Sequence, residues 1–204
     1  MAQVTAYTNE GRYKCLEDLP IDSVELSLGY CGWERCYPGH RFGPNKRTYY
    51  VLHIVVNGKG KLEKNGEVFH LTTGDAFLLC PEEEAWYEAD KKEPWTYAWI
   101  GLYGYKVKKV MQYAGFSKEK SVRSLKCTAL LKSYVDEILE VHRLTTEESM
   151  RRNGYLNLFL ATLIEDNEKF NTKTTPEHTY PGTVYVKHAM EYIKHHYREK
   201  IKIN

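Results

Sequence analysis

Aromatic side chains crowd two neighbouring stretches of this chain: Trp86 and Tyr87 in one, Trp95, Tyr97 and Trp99 in the other. Their rings offer apolar faces with polar tips, a combination that stacks on the C–H faces of a sugar while fixed polar groups take its hydroxyls. The same rings would equally fill a β-rich core, and composition alone does not choose. Tyr97 and Trp99 are two apart, which puts them on one face of a strand. Arg41 and Arg47 carry planar donor forks suited to vicinal hydroxyls or a carboxylate. His40 and Phe42 lie in the segment Pro38-Gly39-His40-Arg41-Phe42-Gly43-Pro44, with Glu34 upstream, and are candidates to line the mouth of a pocket. His53 stands alone, with Val55 where a second imidazole would help close a metal shell. It reads as a hydrogen-bonded wall residue. There is no Ser-His-Asp order, no phosphate-binding glycine loop and no HExxH. No catalytic residue, metal or cofactor is therefore expected. Glu82-Glu83-Glu84 reads as a solvated acidic turn.

The elements that must position these residues are strands up to about residue 103. Residues 1–20 look weakly structured, an arm that would fold over those strands. Val24-Glu25-Leu26-Ser27-Leu28 alternates apolar and polar, as a half-buried strand does. Tyr49 to Val56 is a β-branched and aromatic run closed by Asn57-Gly58. Asn65-Gly66 is a second hairpin signal, and Thr73-Gly74-Asp75 a third turn. Ala76-Phe77-Leu78-Leu79 reads as a buried strand ended by Pro81, and Trp95 to Leu102 as a last aromatic one. Short strands at regular spacing imply a sandwich or barrel.

After Gly104 the period changes to that of helices. Val107, Val110, Met111 and Ala114 share a face, with Gly115 placed to cap the end. Leu131, Val135, Ile138 and His142 mark one side of a longer helix, with Leu130 and Leu139 off that stripe. Thr145-Thr146-Glu147-Glu148 reads as a capping box opening a helix whose apolar face carries Leu156, Phe159, Leu160, Leu163 and Ile164. The two make an αα-hairpin. A polar, turn-rich linker comes next, and Val186, Ala189, Ile193 and Tyr197 mark one more amphipathic helix.

With 42% apolar residues among 204, a sizeable core is available, while a net charge of +2 gives no global attraction to nucleic acid or membrane. The N-terminus Met1-Ala2-Gln3-Val4 lacks a signal-peptide pattern, and no apolar run approaches the ~18 residues that span a bilayer. Cys15, Cys31, Cys36, Cys80 and Cys127 are odd in number and have no CxxC pair. Reduced thiols in a cytoplasm are expected, although the spacing of Cys31 and Cys36 permits a disulfide.

Gly58-Lys59-Gly60, then Asn65-Gly66 through Leu71-Thr72-Thr73-Gly74-Asp75, then Pro81, resembles the barrel of the AraC/XylS transcription regulators. Cys31-Gly32-Trp33-Glu34-Arg35-Cys36, the Pro38–Pro44 segment and Trp95-Thr96-Tyr97-Ala98-Trp99-Ile100-Gly101-Leu102-Tyr103-Gly104 resemble its subgroup linked to oligosaccharide and glycoside operons. The terminal Tyr192-Ile193-Lys194-His195-His196-Tyr197 through Ile203-Asn204 is similar to the first helix of the family's DNA-binding domain. The resemblance implies an α+β fold: a cupin-like antiparallel β-barrel (jelly roll) followed by an α-helical dimerisation hairpin. It implies a barrel with an N-terminal arm over 1–104, a helical dimerisation region over 105–168, a linker over 169–182, and the first helix of a truncated DNA-binding domain over 183–204. Tyr87, Tyr97 and Trp99 fall where arabinose-responsive members place pocket residues. Cupin enzymes hold a metal through a His pair, a Glu and a later His, and that set is broken at Val55 and again at Ala85-Trp86-Tyr87.

The resulting expectation is a bacterial regulator's sensing and dimerisation part, with no membrane partner. A small-molecule effector, a carbohydrate or glycoside, would touch Tyr87, Tyr97, Trp99, Trp86, His40, Phe42, Arg41, Arg47 and His53. A homodimer would form through Leu130, Leu131, Val135, Ile138 and Leu139, unless these pack on the barrel's own surface. DNA would be bound only through a C-terminal domain beyond Asn204. A metal-dependent cupin enzyme (isomerase or dioxygenase) and a ligand-free dimerisation module are the alternatives.

Overall fold

A computed structural model describes residues 6–170 and, beyond them, Val186, Ala189, Met190, Tyr192, Ile193 and Lys194, which are helical and exposed. The chain divides into two compact units, 1–170 and 171–204. The helix α3 (Thr146–Phe170) runs into the expected linker. The rest of the linker, and most of the helix expected over 183–204, lie outside the described residues.

The first unit is built on two antiparallel sheets. The larger has the order β1 (Ala6–Glu10), β2 (Tyr13–Glu17), β3 (Ser27–Arg35), β10 (Thr96–Tyr103), β5 (Tyr50–Asn57), β8 (Asp75–Leu79), β11 (Val122–Ser124). The smaller has the order β4 (Arg41–Lys46), β9 (Glu84–Ala89), β6 (Lys59–Lys64), β7 (Glu67–Thr72). They pack face to face as the expected cupin-like jelly roll. Among the described residues no strand ladder joins them into a closed barrel; an isolated bridge pairs Lys59 of β6 with Pro94, just ahead of β10.

The hairpin turns follow from residues that tolerate positive φ. Asn65 and Gly66 have φ of 53° and 77°, the mirror-image turn that suits the twist of two strands, and they join β6 to β7. Two expectations change. The N-terminal arm is a hairpin, β1–β2, added to the edge of β3, with Cys15 and Leu16 buried. Pairing with β3 satisfies the backbone of a segment whose side chains alone carry a weak strand signal. The strand expected from Val24 begins at Ser27, because Val24 is exposed in a bend and Leu28 is the first residue of that stretch to enter the core.

The larger sheet is apolar on both faces. Leu52, Ile54, Ala98, Ile100 and Leu102 face the helices, while Val51, Val55, Tyr97 and Trp99 face the smaller sheet. Period-two alternation divides each strand between the two cores. The helical layer contains α1 (Val107–Tyr113), α2 (Thr128–Glu140) and α3. After α1, Gly115 at φ 81° donates to Gln112 O and Phe116 donates to Met111 O, the paired bonds of a glycine-terminated helix. In α2, Leu131, Val135, Ile138 and Leu139 are fully buried against the sheet and α3. Each such side chain contributes about 1.5–3 kcal/mol. They belong to the protomer's own core and offer no surface to a second copy, so of the five residues expected at a dimer interface Leu130 alone is exposed. One further expectation fails at Glu82-Glu83-Glu84. Glu83 is buried and paired with Lys64 at 2.8 Å, because the turn after Pro81 folds it beneath β6.

Candidate functional site

The inner faces of the two sheets enclose a cluster of rings. His53 on β5 stacks on Phe77 of β8, with centroids 4.4 Å apart. Tyr87 of β9 stands 5.0 Å from His53 and 5.7 Å from Tyr97. Tyr97 is 5.5 Å from Trp99 and 5.8 Å from Trp95. Phe42 of β4 lies flat on Tyr87 at 5.3 Å. Period two places Tyr97 and Trp99 inward, and Gly32, opposite Trp99 on β3, makes room: a Cβ there would stand 2.4 Å from the indole.

Polar groups cross this aromatic surface. Arg47 donates to the Tyr30 hydroxyl at 3.1 Å and sits over the Phe42 ring. Tyr87 stands edge-on to Tyr97, with ring centroids 5.7 Å apart, and its hydroxyl feels the charge of Arg47. Tyr97 donates in turn to Glu34 Oε2 at 3.1 Å, and Glu34 Oε1 is 3.5 Å from His40 Nε2. The row therefore runs from a guanidinium through two phenols to a carboxylate and an imidazole. Burial pushes Tyr87 up to about 12, with Arg47 opposing, and burial beside Tyr87 and Glu34 pushes Tyr97 higher still. Both hydroxyls stay protonated and can donate as well as accept. His53 is held well below its usual range by burial first and by Arg47 second, and its Nδ1 has no hydrogen-bond partner among the described residues. Exposure rises toward the rim: Tyr87, Tyr97 and Trp99 are buried, whereas Glu34, His40, Phe42 and Arg47 are half-buried.

A bulge in β4 brings Arg47 inward. Phe42 pairs with Tyr87 and Asn45 with Ala85, so three steps on β4 oppose two on β9. That extra residue shifts the parity and aligns odd-numbered Arg47 with even-numbered Phe42. Gly43 makes the bulge possible, with φ of 91° and a Cβ position 2.6 Å from Ala85 O.

Six of the nine expected ligand residues, Tyr87, Tyr97, Trp99, Phe42, Arg47 and His53, thus meet at one ring cluster, and His40 stands at its rim beside Glu34. Trp86 and Arg41 do neither. Trp86 alternates with Tyr87 and points to the outer face of β9, where the Arg41 guanidinium covers it at 3.9 Å. The sequence does not single out Tyr30, which accepts from Arg47, since neither strand parity nor spacing reveals what lies across the sandwich. A separate cleft of about 550 Å³ lies beside Lys59, Lys61, His70, Thr72, Glu88 and Lys91. It has no aromatic platform and stands apart from the ring cluster. Cys31 and Cys36 enter different cores, on opposite faces of the larger sheet, so the disulfide their spacing permits is not formed.

The family described as the AraC-like ligand binding domain matches residues 27–152. The Msm operon regulatory protein of Streptococcus mutans serotype c (strain ATCC 700610 / UA159) is 30% identical over 188 residues, which are 92% of this chain and 66% of that protein. The lactose operon transcription activator of Staphylococcus xylosus is 37% identical over 44% of this chain and 31% of its own length. The raffinose operon transcriptional regulatory protein RafR of Pediococcus pentosaceus is 37% identical over 45% of this chain and 33% of its own length. The chain thus spans at most about two thirds of these regulators. YhaK from Escherichia coli, a solved structure, matches with a TM-score of 0.39 and 19% identity over 50% of this chain and 43% of that one. No helix of the described residues is long and apolar enough to cross a membrane.

Proposed function

Since the chain belongs to the AraC-like ligand binding domain family, we propose that it is the sensing part of a transcription regulator and holds a carbohydrate or glycoside between its two sheets. The observation that carries this reading is the row Arg47–Tyr87–Tyr97–Glu34 laid across Phe42 and Trp99. A sugar needs an apolar platform for its C–H face and alternating donors and acceptors for its hydroxyls. Trp99 and Phe42 supply the platform. Arg47 donates, Glu34 accepts, and the two phenols do both. The relatives' names tie them to lactose, raffinose and Msm operons, which supports the sugar class.

On this reading the chain carries out no reaction of its own. Occupancy of the site alters how a C-terminal DNA-binding domain is presented, and DNA contact belongs to that domain. Pairing of two copies would use surface that the protomer leaves open. Leu130 remains exposed on α2, and Met150 and Leu158 are exposed eight residues apart on one side of α3, with Gly154 between them.

Calorimetric titration of neutral mono- and oligosaccharides into the wild type and into Glu34→Gln tests the site. The variant keeps the side chain's shape and removes the charge. A hydrogen bond to a charged group contributes about 1.5–3 kcal/mol, so affinity should fall roughly tenfold or more. Equal affinity in the two proteins would remove Glu34 from the site.

A further inference from the structure

We propose that Glu34, Cys36 and His40 form a binding site for a zinc-class divalent cation at the rim of the sandwich. Their donor atoms, one carboxylate oxygen, the thiol sulfur and one imidazole nitrogen, all lie within 4.8 Å of one another. In a tetrahedral zinc shell, ligand atoms stand about 3.5 Å apart. The Glu34 Oε1 to His40 Nε2 separation of 3.5 Å already matches that spacing. Cys36 is buried, while the side chains of Glu34 and His40 retain some exposure and can turn toward it.

The three residues are held at both ends. Glu34 is locked in β3 between Tyr13 and Tyr97. The Cys36 amide donates to Trp95 O, and its carbonyl accepts from the Arg12 guanidinium at 2.9 Å. Gly39, at φ 69°, turns the chain so that His40 comes back toward the strand. The His40 amide then donates to Tyr37 O and its carbonyl accepts from Ala89. Tyr97, donating to the second oxygen of Glu34, orients the carboxylate from outside the shell, as supporting groups do around metal ligands.

The donor set selects the ion. Thiolate, imidazole and carboxylate together suit zinc and its borderline-soft neighbours, whereas magnesium and calcium prefer oxygen alone. Three protein ligands leave one position open. This inference does not depend on the carbohydrate reading, although the two share Glu34 and His40. Binding of the cation with no sugar bound would leave it standing, and binding of a sugar with no cation would not rescue it.

The test uses chelator-treated protein titrated with cobalt(II), a spectroscopic stand-in for zinc. One equivalent should produce a thiolate-to-metal charge-transfer band in the near ultraviolet, and zinc should abolish it. Cys36→Ser should eliminate the band, His40→Ala should weaken cobalt binding at least about tenfold, and Cys127→Ser, which alters a half-buried thiol elsewhere, should leave both unchanged. If circular dichroism shows that Cys36→Ser does not fold, His40→Ala, on a partly exposed residue, decides alone. Absence of the band at one equivalent, or its full retention in either ligand variant, would overturn the proposal.

Discussion

Tyr97 and Glu34 face each other across the β3–β10 pair, and the tyrosine hydroxyl donates to the carboxylate at 3.1 Å. The bond joins the aromatic interior to the half-exposed rim, so it marks where an entering molecule would first exchange protein hydrogen bonds for its own. Tyr97→Phe keeps the ring contacts and removes the donor. We expect a melting temperature within a few degrees of the wild type, because an ordinary hydrogen bond contributes about 0.5–1.5 kcal/mol. We also expect carbohydrate affinity to fall several-fold by calorimetry. An unchanged affinity would show that the Tyr97 hydroxyl makes no ligand contact.

Gly43→Ala tests the bulge that turns Arg47 inward. The backbone there has φ of 91°, and an added Cβ would meet Ala85 O at 2.6 Å. Placing a side chain at such a φ costs about 1–3 kcal/mol. Chemical denaturation should show at least that loss, and ligand affinity should fall with it as Arg47 leaves Tyr30 and Phe42. Wild-type stability and affinity together would mean that the bulge does not position Arg47.

The Lys64–Glu83 pair is sealed in the protein, with side-chain exposures of 3% and 1%. Lys64 also donates to Lys118 O, and Glu83 accepts from the Cys80 amide. Lys64→Met alone should cost about 3–5 kcal/mol, because it leaves a buried carboxylate without its counter-charge. Adding Glu83→Leu should restore part of that loss in the same denaturation experiment. A double variant less stable than Lys64→Met alone would mean that Glu83 is satisfied by its other bonds.

His53 gives the fold a pH dependence. Its folded form resists protonation, because burial and then Arg47 disfavour the cation, whereas the unfolded chain takes up the proton near pH 6.5. Below that value the unfolded state binds more protons, so the stability contributed by neutral His53 is present at neutral pH and is lost as pH falls, by up to ~1.4 kcal/mol per unit. Melting temperatures between pH 7.5 and 5 should drop more steeply for the wild type than for His53→Gln. Parallel curves would mean that His53 is protonated in the fold.

Much of this was readable in the chain. Asn65-Gly66 and Gly115 announce their turns because only such residues take those backbone angles cheaply. The change of period after Gly104 marks where sheet gives way to helix. The parity of Tyr97 and Trp99 put both on one face, as the structure has them. What escaped depends on partners distant in sequence. The β1–β2 hairpin is polar and short, and gains its order from β3. Arg47 shares a face with Phe42 only through a bulge. Glu83 is buried because Lys64 meets it from another strand. The side chains of α2 expected at a dimer interface are consumed by the protomer's own sheet, which a periodicity reading cannot distinguish from a partner. Glu34, Cys36 and His40 converge only because Gly39 folds the loop back.

The most direct test of the sensing role is a thermal-shift screen of this chain against neutral mono- and oligosaccharides and glycosides. A ligand at a hundred times its Kd adds about 2.7 kcal/mol of stability, which raises the melting temperature by several degrees in a domain of this size. The account predicts such a shift for one related group of sugars, diminished in Glu34→Gln. No shift with any sugar, from protein whose circular dichroism shows an intact fold, would contradict it.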